Sequence, residues 1–177
     1  MIMTLISAHD TTVPSTVQAR TALRPEDAFD GIAPIDLSLV FKGWHGIFPG
    51  VRGSTNQTGE WDHVGASRNP DLTDGSTATE TIVEHTRPSS FAYTLVGFTN
   101  VLGRLIAGVR GEWTYTPDGD GTLIRWAYEF KPLPRRTALV RHVLVPLWRR
   151  YMATSLDVAV EVAERIIAER NATGTGA

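Results

Sequence analysis

The stretch VRGEWTYTPDGDGTLIRWAYEF, residues 109–130, decides the fold. Residues 109–116 alternate, with Val109, Gly111, Trp113 and Tyr115 on one side, and residues 123–130 alternate again, with Ile124, Trp126, Tyr128 and Phe130 together. A period of two over such runs is the mark of a half-buried β-strand. Between them Pro117-Asp118-Gly119-Asp120-Gly121 presets one φ and supplies two glycines that accept positive φ, so the chain must double back here. Downstream, from Arg135 to about Arg170, the period changes to 3.6: Leu144, Trp148, Tyr151, Ser155, Ala159, Val162 and Ile166 follow one helical stripe. A helix that long needs an apolar surface of matching length, and the aromatic faces of the hairpin supply one. Large side chains splayed between a sheet and a helix can leave a cavity rather than a solid core.

Upstream of the hairpin, residues 16–23 read as a first strand, with Val17, Ala19, Thr21 and Leu23 on one face. Arg24-Pro25-Glu26-Asp27 opens a short helix, with proline at an early position and carboxylates at the positive end of the dipole. Asp36 caps a second short helix through Val40, and residues 43–50 are a loop or broken helix. After a polar connector at 53–59, strands are expected at 60–64, 66–72, 77–87 and 91–98. Pro70 would suit an edge strand, and Pro146 should kink or divide the long helix near residues 142–145. The expected class is α+β: a curved antiparallel sheet of six to seven strands around a long C-terminal helix, with two short helices after the first strand.

Composition narrows the function. The 177 residues, 42% hydrophobic and 20% charged, suit one domain, placed at 13–170 between a leader at 1–12 and a flexible tail at 171–177. A net charge of −2 and a pI near 6.2 give no general attraction to nucleic acid. No run of about eighteen apolar residues is present, so no transmembrane helix is expected. Without cysteine there are no disulfides or thiolate nucleophiles, and a cytoplasmic location fits. No histidine pair has metal-ligand spacing, so no metal is expected, and no cofactor is implied. Homodimerisation is left open.

The element order, together with Gly111-Glu112-Trp113-Thr114-Tyr115-Thr116-Pro117 and Gly121-Thr122-Leu123-Ile124-Arg125-Trp126, resembles the START-like, or SRPBCC, superfamily over residues 13–167. The nearest branch is that of the polyketide cyclase/dehydrase-like proteins. The resemblance implies a helix-grip fold whose two small helices close one end of a pocket for hydrophobic ligands.

Two readings of the aromatic residues stay open at this stage. They form the sheet core, or Trp61, Tyr93, Trp113 and Trp126, opposed by Trp148, Tyr151 and Ser155, line a cavity for a polyketide-like or lipid-like small molecule. Ser155 would leave room in that wall or simply bond back to its own helix. Trp44 and His45 sit in a glycine-hinged loop placed to cover a pocket mouth, where His45 could act as acid or base; the alternative is a surface histidine with a tryptophan anchor. Glu80 is a second acid/base candidate: with Glu84 it would share a strand face, and a carboxylate pair in a cavity raises one pKa. Asp62 and Arg68 could pair across strands. The same cavity thus serves a binding module or a cofactor-independent cyclase or dehydratase. Arg135, Arg136, Arg141, Arg149 and Arg150 make the start of the helix basic, as a solvated face or as an attraction for an anionic headgroup, a carrier-protein arm or a phospholipid surface.

Overall fold

A computed structural model of the chain describes residues 5, 6 and 10–174. Strand β1 (Val13–Thr21) leads into α1 (Pro25–Ile32) and α2 (Leu37–Val40). There follow β2 (Val51–Thr55), β3 (Ser67–Leu72), β4 (Thr79–Thr86), β5 (Ser90–Val96), a 3-10 turn (Val101–Arg104), β6 (Ile106–Asp118) and β7 (Gly121–Pro132). The chain closes with α3 (Thr137–Leu139), a π-helical turn (Val140–Leu144) and α4 (Val145–Gly174). The seven strands form one antiparallel sheet in the order β1-β7-β6-β5-β4-β3-β2. The sheet curves round α4, which also packs on α1 and α2.

Local chemistry accounts for each element. Pro25 at the start of α1 and Glu26 and Asp27 in its first turn suit the helix dipole. The Asp36 carboxylate accepts from the Ser38 N–H at 2.9 Å and caps α2. Helix α1 lies so close to α4 that a Cβ at Gly31 would meet the Ala163 Cβ at 2.8 Å, so glycine sets that crossing. In the β6–β7 hairpin Trp113 lies opposite Trp126, and their rings stack with centroids 4.6 Å apart, a cross-strand aromatic pair of the kind worth about 0.5–1.5 kcal/mol beyond its burial.

Several expectations need correction. Residues 60–64 form no strand but a bend at 61–63 leading into a turn at Val64, because only Trp61 among them is buried and no alternating face exists to hold a strand. The polar 53–59 connector instead contributes most of β2, an exposed edge strand held by its register with β3. Pro70 therefore lies one strand in from the edge, opposite Ser54, while its carbonyl accepts from the Thr77 hydroxyl. Pro146 does mark an interruption of the helix, which takes the form of a π-helical turn, Val140–Leu144, just before α4 begins. On that stripe Ile167 is buried and Ile166 is exposed. Helix α4 continues to Gly174, into the stretch expected to be a tail. Most of the leader, residues 1–4 and 7–9, and the end of the tail, 175–177, lie outside the described residues.

Candidate functional site

The sheet and α4 do not close on one another completely. Between them is an outer lobe of about 110 Å³. Its floor is Tyr93, Val109 and Tyr128 from the sheet, its far wall Trp148 and Tyr151 from α4, and its rim includes Phe41 and Phe48 before β2. Beside it is a smaller lobe of about 30 Å³, whose lining includes Trp61, Arg68, Trp113 and Trp126. Leu37, Phe41, Glu80 and Tyr93 belong to both walls, so the two lobes adjoin across these residues. A site of about 15 Å³ already holds a water, and about 150 Å³ is enough to enclose benzene. The outer lobe alone falls a little short of that, and the two adjoining lobes together, about 110 and 30 Å³, approach the size of one ring.

One glycine arranges the polar wall. On three neighbouring strands Tyr93, Gly111 and Tyr128 lie opposite one another in register. A Cβ at Gly111 would overlap the Tyr93 ring, so the absent side chain lets that ring lie flat across β6 toward Tyr128. The Trp126 indole N–H donates to the Tyr93 hydroxyl at 3.1 Å, and the Tyr93 hydroxyl donates to that of Tyr128 across a long 3.4 Å. With Tyr93 spending its only proton on Tyr128, the Tyr128 proton is left to point elsewhere. Burial pushes both phenols well above the ordinary tyrosine range, with the Glu80 charge adding to the effect. They are neutral donors at any physiological pH.

Glu80 is the one carboxyl in these walls. Arg68 Nε donates to its Oε2 at 2.6 Å, and both residues are buried. The Arg68 guanidinium also lies 4.0 Å from the centroid of the Trp61 ring, a cation–π contact in a desolvated place. Burial raises the Glu80 pKa and the Arg68 charge opposes it, leaving the net shift upward. This pairing replaces the expected one between Asp62 and Arg68: Asp62 is exposed and meets His63 instead, at 2.7 Å. Glu84 does not join Glu80. The bulge between Ile82 and Glu84 shifts the register, and Glu84 bonds the Ser90 hydroxyl and Arg110 outside the cavity.

The residues singled out from sequence are distributed as follows. Tyr93 faces both lobes, Trp148 and Tyr151 the outer one, and Trp61, Trp113 and Trp126 the smaller one. Ser155 is buried next to this region but lines neither lobe, and its hydroxyl has no partner among the described residues. Trp44 is 60% exposed and lines neither lobe; Phe48, not the tryptophan, anchors its loop, packing against Trp148 and Tyr151. His45 stacks on Tyr151 at 5.0 Å and lines neither lobe. Arg68 and Tyr128 were not in the expected site. Tyr128 carried the signal, being two residues from Trp126 on the same strand face; Arg68 did not, because its partner is decided by how β3 meets β4. Among the described residues no group of three or more metal-binding side chains is present, and no helix is long and apolar enough to cross a membrane.

An antiparallel sheet gripping a C-terminal helix, with two short helices after the first strand, defines the helix-grip class. The chain belongs to the family described as polyketide cyclase / dehydrase and lipid transport, which matches residues 12–164. No functionally curated protein matches the sequence. Among solved structures it is similar to the protein XoxI from Bacillus cereus, at 12% identity and a TM-score of 0.63, over 87% of this chain and 97% of that one. Protein MLL2253 from Mesorhizobium loti is similar at 12% identity and a TM-score of 0.63, over 86% and 98%. Ara h 8.0201 is similar at 14% identity and a TM-score of 0.59, over 84% and 98%. At such identities the likeness is one of fold.

Proposed function

We propose that the chain binds a small hydrophobic molecule with at least one ring and one oxygen function in the cavity between sheet and α4. The observation that carries this reading is an apolar cavity whose two adjoining lobes together approach single-ring size and whose floor offers the Tyr93–Tyr128 hydroxyl pair beside Glu80. Burial of the ring would supply most of the affinity, about 25 cal/mol for each Å² removed from water. The phenols would orient the ligand oxygen. The indole N–H of Trp148, buried in the opposite wall without a partner among the described residues, is a further donor for such an oxygen. Polyketide-like ring systems and lipid-like molecules with a ring or carbonyl both satisfy this pattern.

Isothermal titration with one-ring and two-ring phenols tests the reading. Binding to the native chain and its loss in Ala78→Phe, which fills the outer lobe from β4's side, is the expected result. Equal binding to both chains would contradict it.

A second reading, a cyclase or dehydratase, is supported by Glu80 itself. A carboxyl whose pKa is raised by burial, in the wall shared by both lobes, suits proton donation to a carbonyl or leaving hydroxyl. Of the two acid/base candidates, Glu80 rather than His45 carries this reading, because it lies in the cavity wall. Glu80→Gln would then keep ligand binding and lose turnover, and turnover unchanged in that variant would remove the residue from the chemistry.

A further inference from the structure

The loop between α2 and β2 presents two large apolar side chains to solvent. His45 and Phe48 pair through two backbone hydrogen bonds, 2.9 and 3.1 Å, and make Gly46 and Ile47 the corner of a tight turn. Gly43 and Gly46 both take positive φ, +63° and +61°, and the turn leaves Trp44 60% and Ile47 61% exposed. Its inner side is fixed, for His45 and Phe48 lie on Tyr151 and Phe48 also on Trp148. Leu147 precedes Tyr151 by one helical turn and Val143 lies one further turn back; these are exposed by 37% and 49%. Four exposed apolar residues thus gather where Phe48, on the cavity rim, packs against Trp148 and Tyr151.

Charge is segregated at the same place. Residues 37–51 and 133–156 carry Lys42, Arg135, Arg136, Arg141, Arg149 and Arg150 and no acidic residue, in a chain with 19 acidic and 17 basic residues. All six are exposed, and none has an ion-pair partner among the described residues. Of the acids outside these stretches, Asp71 pairs with Arg52, Asp10 with Lys131, and Asp74 holds Ser76 and Asn100. Elsewhere on the chain acidic residues outnumber basic ones.

We propose that this rim docks on an anionic lipid bilayer, Trp44 and Ile47 entering the interface and the arginines meeting lipid phosphates. An indole suits the boundary between hydrocarbon and headgroups, and exposed basic residues around an apolar tip are what a negatively charged interface attracts. An acidic protein surface would satisfy the arginines but gives no reason for an exposed tryptophan and isoleucine flanking a glycine-hinged turn. Docked this way, the cavity rim would face the membrane, so an apolar ligand could pass without crossing water. The docking itself needs no ligand and is tested apart from the cavity.

The test is co-sedimentation of the full chain with vesicles of phosphatidylcholine alone or of equal parts phosphatidylcholine and phosphatidylglycerol, at low and high salt. Binding should require phosphatidylglycerol and fall at high salt. With each basic residue near a charged surface worth about fivefold in affinity, Arg149→Gln/Arg150→Gln should bind about twenty-five-fold more weakly. Trp44→Ala/Ile47→Ala should weaken binding at unchanged charge, and circular dichroism checks that both variants fold. Equal binding to the two vesicle types, no binding to either, or unaltered binding by either variant overturns the proposal. So does retention on polyglutamate without vesicle binding, which would point to an acidic protein partner.

Discussion

Replacing Arg68 by methionine probes the buried wall of the cavity. The side chain is 7% exposed and its partner Glu80 5%, so the substitution strands a carboxyl in a desolvated place and removes the contact over Trp61. Removing one partner of a buried pair costs about 3–5 kcal/mol. For a chain of this size each kcal/mol moves Tm by about 2–4 °C, so a drop of roughly 6–20 °C is expected near neutral pH. The loss should depend on pH in a definite direction. Folding raises the Glu80 pKa, so the folded state holds that proton more tightly than the unfolded chain. Stability from this residue is therefore greatest below about pH 4.3, the ordinary glutamate value, and falls as pH rises through the folded value. Without Arg68 the folded value rises further, and the deficit against the native chain should be small in acid and widen toward neutrality. Arg68→Met/Glu80→Leu, with both charges gone, should recover most of the loss. Thermal melts read by circular dichroism across pH 4–8 measure all of this. An Arg68→Met deficit that is the same at every pH, or a double variant worse than the single, would refute the assignment of a coupled, desolvated pair.

Other outcomes follow from the same geometry. Gly111→Ala should cost about 1–3 kcal/mol by overpacking against Tyr93 and should weaken binding of phenolic ligands, read by denaturant melts and titration calorimetry. Trp148→Ala should enlarge the outer lobe and shift preference from one-ring to two-ring ligands, at a cost near 3 kcal/mol; an unchanged size preference would place the ligand elsewhere. All four tyrosines have raised pKa values, Tyr151 being pushed up to about 12 by burial. Because unfolded tyrosine titrates near pH 10, the stability they contribute is complete below that pH and is lost above it. Phenolate absorbance should consequently rise with alkaline unfolding rather than before it, and a tyrosine ionising near pH 10 in the folded chain would contradict the burial.

The parts of the fold legible in the sequence are those where one face is buried along a whole element. The hairpin of residues 109–130 and the α4 stripe have clean periods because every second residue, or every third and fourth, meets the core. Strand β2 was illegible for the opposite reason: it is an edge strand with no buried residue, defined by its partner rather than by its own pattern. Trp61 shows the converse, a single buried indole that suggested a strand where the chain only bends. Within the site, the aromatic walls could be anticipated from strand alternation. The Arg68–Glu80 pair could not, since it depends on the β3–β4 register and on a bulge that turns Glu84 away. Phe48 takes the anchoring place expected of Trp44 for a related reason. Both suit an apolar anchor, and the corner at Gly46 decides which one faces α4.

The cavity itself is most directly tested by native mass spectrometry of the chain purified from its own source without organic solvent. A retained compound of low mass, apolar, with a ring and an oxygen function, and absent from Ala78→Phe, is the predicted result. Protein that is empty on isolation, and that gains no mass when offered phenolic, polyketide-like and lipid-like compounds, would contradict the account.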